Sequence, residues 1–154
     1  IDKVKDGKNI ALVSDAGTPL ISDPGYFLVK LAREQGVRVV PIPGVSAVVT
    51  ALSVSGLPSD RFVFEGFLPA KQGAKTKRLE AFLYESRTVI FYESPHRILD
   101  TLNVMNDVYG ADRYLVVARE LTKTFETIKG DGLGALCQWV ESDANQQKGE
   151  FVLL

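Results

Sequence analysis

Short, continuously apolar runs alternate with helix-patterned stretches along this chain, and most of the runs end at a junction rich in Gly, Pro and Ser. An apolar run bounded by such turn signals marks a strand buried on both faces, so the alternation restricts the chain to helices packed on a sheet. Ile10–Val13 and Val37–Ile42 are predicted as two such strands. Between them, Tyr26–Gln35 is predicted as a helix with Phe27, Leu28, Leu31 and Ala32 on one side and Gly36 as its stop. Asp23 is placed as its N-cap, with Pro24 at the first helical position. A small-residue helix follows over Val45–Ser55, ended by Gly56 and Pro58. Strand, helix, strand, helix implies parallel βαβ units with right-handed crossovers.

Gly56-Leu57-Pro58-Ser59-Asp60 is the candidate linker, and beyond it the alternation resumes. Strands are predicted at Phe62–Phe67 and Thr88–Tyr92, with a helix near Thr76–Glu85 between them. Ile98, Leu102, Met105 and Tyr109 at helical spacing, stopped by Gly110, predict the next helix. Tyr114–Ala118 and Phe125–Lys129 follow as strands, then a helix marked by Leu133, Leu136, Cys137 and Val140, and a final strand near Glu150. No repeat of fixed period interrupts this order. The expectation is an α/β protein of two consecutive α/β domains, residues 1–58 and 59–154. The chain opens on Ile1 rather than Met and closes inside the apolar run Phe151–Leu154, so a fragment with a truncated first domain is expected.

A hydrophobic fraction of 45% and a charged fraction of 24% are the balance of a soluble globular protein. No apolar run approaches the ~20 residues of a membrane helix, and no secretory leader pattern opens the chain. Cys137 is the single cysteine, which excludes an intrachain disulfide and a CxxC metal site and fits a cytoplasmic location. His96 is the single histidine, which argues against a His-rich zinc or iron site; no metal is expected. A net charge of -1 leaves RNA binding to a local basic patch rather than to a generally basic surface.

Ligands of open α/β sheets gather beyond the carboxyl ends of strands, where loops feed helix N-termini. In the junction after Val13, Asp23-Pro24-Gly25 is explained by helix initiation, but Asp15-Ala16-Gly17-Thr18-Pro19 is longer than a βα connection needs. Gly17 lets backbone approach a ligand closely, and Pro19 fixes the loop's shape. A second junction, Pro41-Ile42-Pro43-Gly44-Val45-Ser46-Ala47, exposes helix-start amides beside a hydroxyl. In the third, Phe91-Tyr92-Glu93-Ser94-Pro95-His96-Arg97, Ser94 is placed as N-cap and Pro95 as first helical residue. Arg97 would then oppose the helix macrodipole, which implies an anion for it to meet. Lys71, Lys75, Lys77 and Arg78 crowd the predicted start of the helix near Thr76, either as a phosphate-contacting patch or as a solvated charge run. Arg119, Glu120, Lys123 and Glu126 form a further charged group that could meet a ligand, pair internally or face water. Dinucleotide, P-loop, GxSxG and metal-ligand motifs are lacking. Spacing supports a small-molecule site and leaves its ligand open.

Ser14-Asp15-Ala16-Gly17-Thr18-Pro19 with Ser22-Asp23-Pro24-Gly25, and then Pro41 to Ala47, resemble the small-subunit rRNA methyltransferase I group of the tetrapyrrole methylases. Gly66-Phe67-Leu68-Pro69, Phe91 to Arg97 and Ala118-Arg119-Glu120-Leu121-Thr122-Lys123 extend the resemblance in order along nearly the whole chain. The resemblance implies an S-adenosylmethionine-dependent enzyme that methylates the ribose 2′-hydroxyl of a cytidine in the decoding region of 16S rRNA. It also implies two domains with the cofactor in the cleft between them, and a homodimer. Carried over residue by residue, it assigns the cofactor to Asp15, Ala16, Gly17, Thr18, Pro19, Ser46, Ala47, Glu93, Ser94, Ala118, Arg119, Glu120 and Leu121. Members of the group begin with a further strand and a loop resembling PTPIGN; the sequence here lacks both, so the expectation is that the fragment alone is inactive.

Methyl transfer to a ribose hydroxyl needs that oxygen in line with the methyl and a group to take its proton. Glu93, Glu120 and His96 are the candidates for the second role, and Lys71, Lys75, Lys77, Arg78, Arg97 and Lys123 are the expected phosphate contacts. A corrinoid C-methyltransferase shares the implied fold and cofactor, but the Ser-Pro-His-Arg and Gly-Phe-Leu-Pro segments and the basic cluster fit the RNA branch better. A non-catalytic ribosome-binding module is the reading from another class. A nucleotide oxidoreductase lacks its glycine fingerprint.

Overall fold

The computed structural model describes residues 1–154, which fall into two compact units, 1–46 and 47–154. The first holds helices α1 (Asp2–Lys5) and α2 (Tyr26–Glu34) and no strand. Ile10–Val13 and Val37–Ile42, expected as buried parallel strands, are unpaired, and Val13 and Ile42 are each 80% exposed. The reason is physical: an apolar run favours extended backbone, but a strand also needs a neighbour to take its N–H and C=O groups. No segment of this unit supplies one.

Helix α2 lies where its apolar spacing predicted, but its start differs. Gly25, not Asp23, is the N-cap, with φ 127° and no side-chain cap. A Cβ on Gly25 would stand 2.9 Å from Leu12 Cδ2 and 3.0 Å from Leu20 Cδ1, so this tight turn admits only glycine. At the other end, the Gly36 N–H reaches Arg33 O and the Val37 N–H reaches Ala32 O, with Gly36 left-handed, as a glycine terminator requires. Only Ala32 on this helix is buried.

The second unit opens with α3 (Ala47–Ser55), so the compact units divide ahead of the 56–60 linker. Then come β1 (Phe62–Phe67), α4 (Gln72–Glu80), β2 (Thr88–Glu93), α5 (Ile98–Tyr109), β3 (Tyr114–Arg119), β4 (Thr127–Gly132), α6 (Leu133–Ser142), a 3-10 turn (Ala144–Gln147) and β5 (Phe151–Leu153). The five strands make one sheet in the order β1-β2-β5-β3-β4. Only β1 and β2 are parallel; the other pairs are antiparallel, so the expected run of parallel βαβ units is met once, at β1–α4–β2. The fold is thus mixed α/β.

Strand alternation feeds two cores. Leu115, Val117, Phe91, Phe151 and Leu153 point to the face covered by Leu79 of α4, by Ile98, Leu102 and Met105 of α5, and by Leu133, Leu136 and Val140 of α6. Val116, Ala118, Ile90 and Val152 point to the other face, against Val48, Ala51 and Leu52 of α3. Strand β1 carries a bulge at Glu65 with Gly66 at φ 75°, which turns the Glu65 side chain out to pair with Arg78.

Leu136 is fully buried in the larger core. Replacing it with Ala should cost about 2–5 kcal/mol, read from the urea midpoint of the full-length protein. A change below about 1 kcal/mol would contradict this core assignment.

Candidate functional site

In the first unit, two of the predicted loops are joined by one hydrogen bond: Thr18 Oγ1 donates to Val45 O at 2.7 Å. The loop before it is closed by its own side chain, Ser14 Oγ donating to Ala16 O at 2.7 Å. Gly17 is left-handed at φ 72°, and a Cβ there would meet nothing within 4 Å, so the backbone at this point stands open. Leu20 and Ser22 are also left-handed, at φ 74° and 55°. Non-glycine residues hold such angles at a cost of about 1–3 kcal/mol each, and they concentrate where a ligand or a switch needs a particular backbone shape. Asp15, Ala16 and Gly17 are exposed, while Thr18, Pro19, Ser46 and Ala47 are half-buried.

In the second unit, the carboxyl ends of β1 and β2 are tied together by Glu93 and Arg97. Helix α5 starts at Ile98 with Arg97 at the N-cap position, so the predicted cap at Ser94-Pro95 is instead a separate turn closed by Arg97 N–H to Ser94 O. The anion implied for Arg97 is inside the chain: its Nη2 lies 2.7 Å from Glu93 Oε1. Arg97 Nη1 also donates to Leu68 O at 3.1 Å, and Nε to Ser94 Oγ at 3.3 Å. Glu93 is 3% exposed, and its carboxylate further accepts the Ser94 N–H at 2.7 Å and the Thr101 hydroxyl at 2.7 Å. Buried and engaged by these three donors, Glu93 holds this turn together and is poorly placed to act as a base.

Lys75 is fully buried, its ammonium donating to Asp100 Oδ2 and, at 2.9 Å, to Thr101 Oγ1. A buried, paired ammonium cannot meet a phosphate, which removes Lys75 from the expected RNA contacts. Helix α4 also starts earlier than predicted. Lys77 and Arg78 therefore sit in its last turn, where cations suit the macrodipole, and the dipole argument for a phosphate patch does not hold. Arg78 is engaged by Glu65 and lies 4.9 Å over the Phe82 ring. Lys71 and Lys77 are exposed, as is His96.

After β3, Arg119 is 7% exposed and donates to Asn145 O, Lys148 O and Phe125 O. It clamps neighbouring backbone from inside. Ala118 is buried, while Leu121 is half-buried. Glu120 and Thr122 are left-handed, at φ 51° and 66°. Glu120 Oε1 accepts from Lys123 Nζ at 2.9 Å and from the Glu150 N–H at 2.9 Å; Lys123 also reaches Glu150 Oε2. Of the three possibilities open to this charged group, internal pairing is the one observed. Sequence reasoning missed Thr101, although a polar residue inside the apolar stripe Ile98, Leu102, Met105 was the available signal. No group of His, Cys, Asp and Glu is arranged to hold a metal. An open concavity of about 360 Å³ between α4 and α5, lined in part by Gln72, Thr76, Val104 and Asp107, shares no residue with these loops.

The family model for tetrapyrrole (corrin/porphyrin) methylases matches residues 1–136. The chain belongs to the tetrapyrrole methylase family. This family member is similar along its whole length to proteins named ribosomal RNA small subunit methyltransferase I: 62% identical to that of Vibrio cholerae and 59% to that of Haemophilus influenzae. It spans 54% of the length of each. Its fold is similar to that of the methyltransferase CobJ, at a TM-score of 0.69 and 18% identity over 99% of this chain and 66% of that one. A cobalt precorrin-4 methyltransferase, CbiF, aligns at 0.59 and 15% identity over 83% of this chain and 56% of its own. At those identities the likeness concerns the fold alone.

The Glu120 carboxyl is held below the ordinary glutamate range, first by the Lys123 hydrogen bond and then by the Glu150 N–H. Lys123 is raised by the same pairing. A lowered carboxyl stabilises the fold above its unfolded pKa, and that contribution disappears as pH falls through the lowered value. Lys123 is exposed, so the effect is under about 1 kcal/mol. Thermal melts of the full-length protein should show Glu120→Gln less stable than the parent at neutral pH, the two converging as pH falls through the lowered Glu120 value. A gap that persisted in acid would refute the pairing as its cause.

Proposed function

We propose that the full-length protein is an S-adenosylmethionine-dependent methyltransferase that modifies small-subunit rRNA at the ribose 2′-hydroxyl of a cytidine. The observation that carries this reading is the match of 59–62% identity, along the whole of this chain, to relatives named ribosomal RNA small subunit methyltransferase I; the ribose hydroxyl and the cytidine come from the family resemblance. The likeness to CobJ and CbiF is compatible with a corrinoid-methylating relative, but it rests on far lower identity.

The residues fit the cofactor in size and chemistry. Asp15 offers an exposed carboxylate, Gly17 an open backbone, and Ala16 and Ser46 small side chains that let a flat, polar ligand approach the main chain. The Thr18 bond to Val45 keeps the two loops in register. When bound, the cofactor supplies an activated methyl on sulfur. The chain's own task is to hold the ribose oxygen in line and to take its proton. With Glu93 buried among three internal donors and Glu120 ion-paired below the usual carboxylate range, His96, exposed on the 94–97 turn, is the remaining candidate for the proton. Lys71 and Lys77 are the exposed members of the basic set and would meet RNA phosphates, with Lys123 and Arg97 held mainly by internal partners. A homodimer and a cytoplasmic setting belong to the same proposal, as does the division into two domains at residues 58 and 59.

Incubation of the full-length protein and labelled cofactor with 30S subunits should transfer label to the rRNA, and incubation with a precorrin mixture should not. Label on the corrinoid alone would overturn the RNA reading, and absence of any heat on titrating the cofactor would favour a binding module. His96→Gln should lower kcat roughly a hundredfold with little change in cofactor affinity. An unchanged kcat would remove His96. Reversing Lys71 and Lys77 to Glu should weaken RNA binding and flatten its salt dependence by about one to two units of slope.

A further inference from the structure

The buried network Asp100–Lys75–Thr101–Glu93–Arg97 has a feature that simple core stabilisation does not explain. Lys75, Thr101 and Glu93 are 0%, 0% and 3% exposed, in a unit whose core is otherwise aliphatic and aromatic. Buried ions are expensive to desolvate, and apolar residues of similar volume commonly match or exceed their stability. What such a network supplies is a defined position. Its donors converge on Glu93, from Lys75 through Thr101 on one side and from Arg97 on the other. Lys75 Nζ donates to Thr101 Oγ1, and the Thr101 hydroxyl, its own proton thereby directed away from Lys75, donates to Glu93 Oε2. Glu93 Oε1 receives Arg97, and Arg97 reaches Leu68 O in the Gly66-Phe67-Leu68-Pro69 segment and Ser94 Oγ in the following turn. Lys75 also pairs with the exposed Asp100 on α5, while the arm through Thr101, Glu93 and Arg97 ends on the loops at the carboxyl ends of β1 and β2.

We infer that Thr101, oriented by Lys75, is a positioning residue that fixes the Glu93 carboxylate and through it the 66–69 and 93–97 loops on which cofactor and substrate are held. Lys75 is a donor with no acceptor capacity, so a hydroxyl beside it must present its lone pair to the ammonium and its proton to the carboxylate. That polarity aims the Glu93 carboxylate, and Arg97 then has a fixed partner from which to span the two loops. This inference rests on the methyltransferase reading above.

The test uses the full-length protein with 30S subunits. Parental activity establishes the reading first; its absence would sink that reading and not the network. Thr101→Val keeps the shape and deletes the hydroxyl, and Thr101→Ser restores it. Since Thr101→Val leaves a buried ammonium and carboxylate short of a partner, the paired Lys75→Met/Thr101→Val variant removes both poles and provides a folded alternative. In whichever of these variants retains a cooperative melt, the KM for cofactor should rise on the order of tenfold, or kcat fall by a similar factor, through misplacement of the loops. Thr101→Ser should recover parental values. Parental KM and kcat in a folded Val or Met/Val variant, or a defect that Ser does not repair, would overturn the inference.

Discussion

Strand β5, Phe151–Leu153, is hydrogen-bonded antiparallel to β2 on one side and to β3 on the other, and the sheet of the second unit is continuous only through it. Its three residues are buried on both faces, Phe151 and Leu153 in one core and Val152 in the other. A three-residue strand can hold this place because it contributes backbone pairing on both edges and apolar surface to both cores. The positions of Glu93, at the end of β2, and of Glu120, after β3, both follow from it. Glu93 is paired in register with Phe151, and the Glu150 N–H just before the strand closes on Glu120.

Charge in this unit is used mostly inward. Glu93, Arg97, Lys75, Arg119, Glu120 and Lys123 all meet partners within the chain, so the charged residues around the strand ends shape loops before they meet anything else. Among the charged or titratable candidates of this unit, His96, Lys71 and Lys77 stay exposed.

Much of the second unit was legible in the chain. The spacing of Ile98, Leu102, Met105 and Tyr109 placed the body and the Gly110 end of α5, and the apolar runs 62–67 and 114–118 placed β1 and β3 to within one residue. Start positions were read less well. Lys71, Lys75, Lys77 and Arg78 crowd the start of a helix read near Thr76 and so suggested a phosphate patch, whereas α4 begins at Gln72 and its last turn carries Lys77 and Arg78 without conflict. Ser94-Pro95 had the composition of a helix start, but Arg97's bonds to Glu93, Ser94 and Leu68 hold the segment as a turn. In the loops, the residue set was visible while its division of labour was not. Arg119 and Lys75 differ from exposed cations only through where the fold puts their ends.

The sequence by itself determined which stretches of 47–154 are helices and strands, which loops are rich enough in Gly, Pro and Ser to form a site, and which family carries those loops in this order. These depend on residues a few positions apart, where side-chain period and turn preference act. Only the tertiary structure decided that β5 lies between β2 and β3 and that Lys75 is buried against Thr101, 26 residues away. It also decided that Ile10–Val13 and Val37–Ile42 run unpaired. Each of these requires a partner distant in the chain, since a ladder needs a second strand and a buried charge needs a counter-group. Local pattern specifies neither.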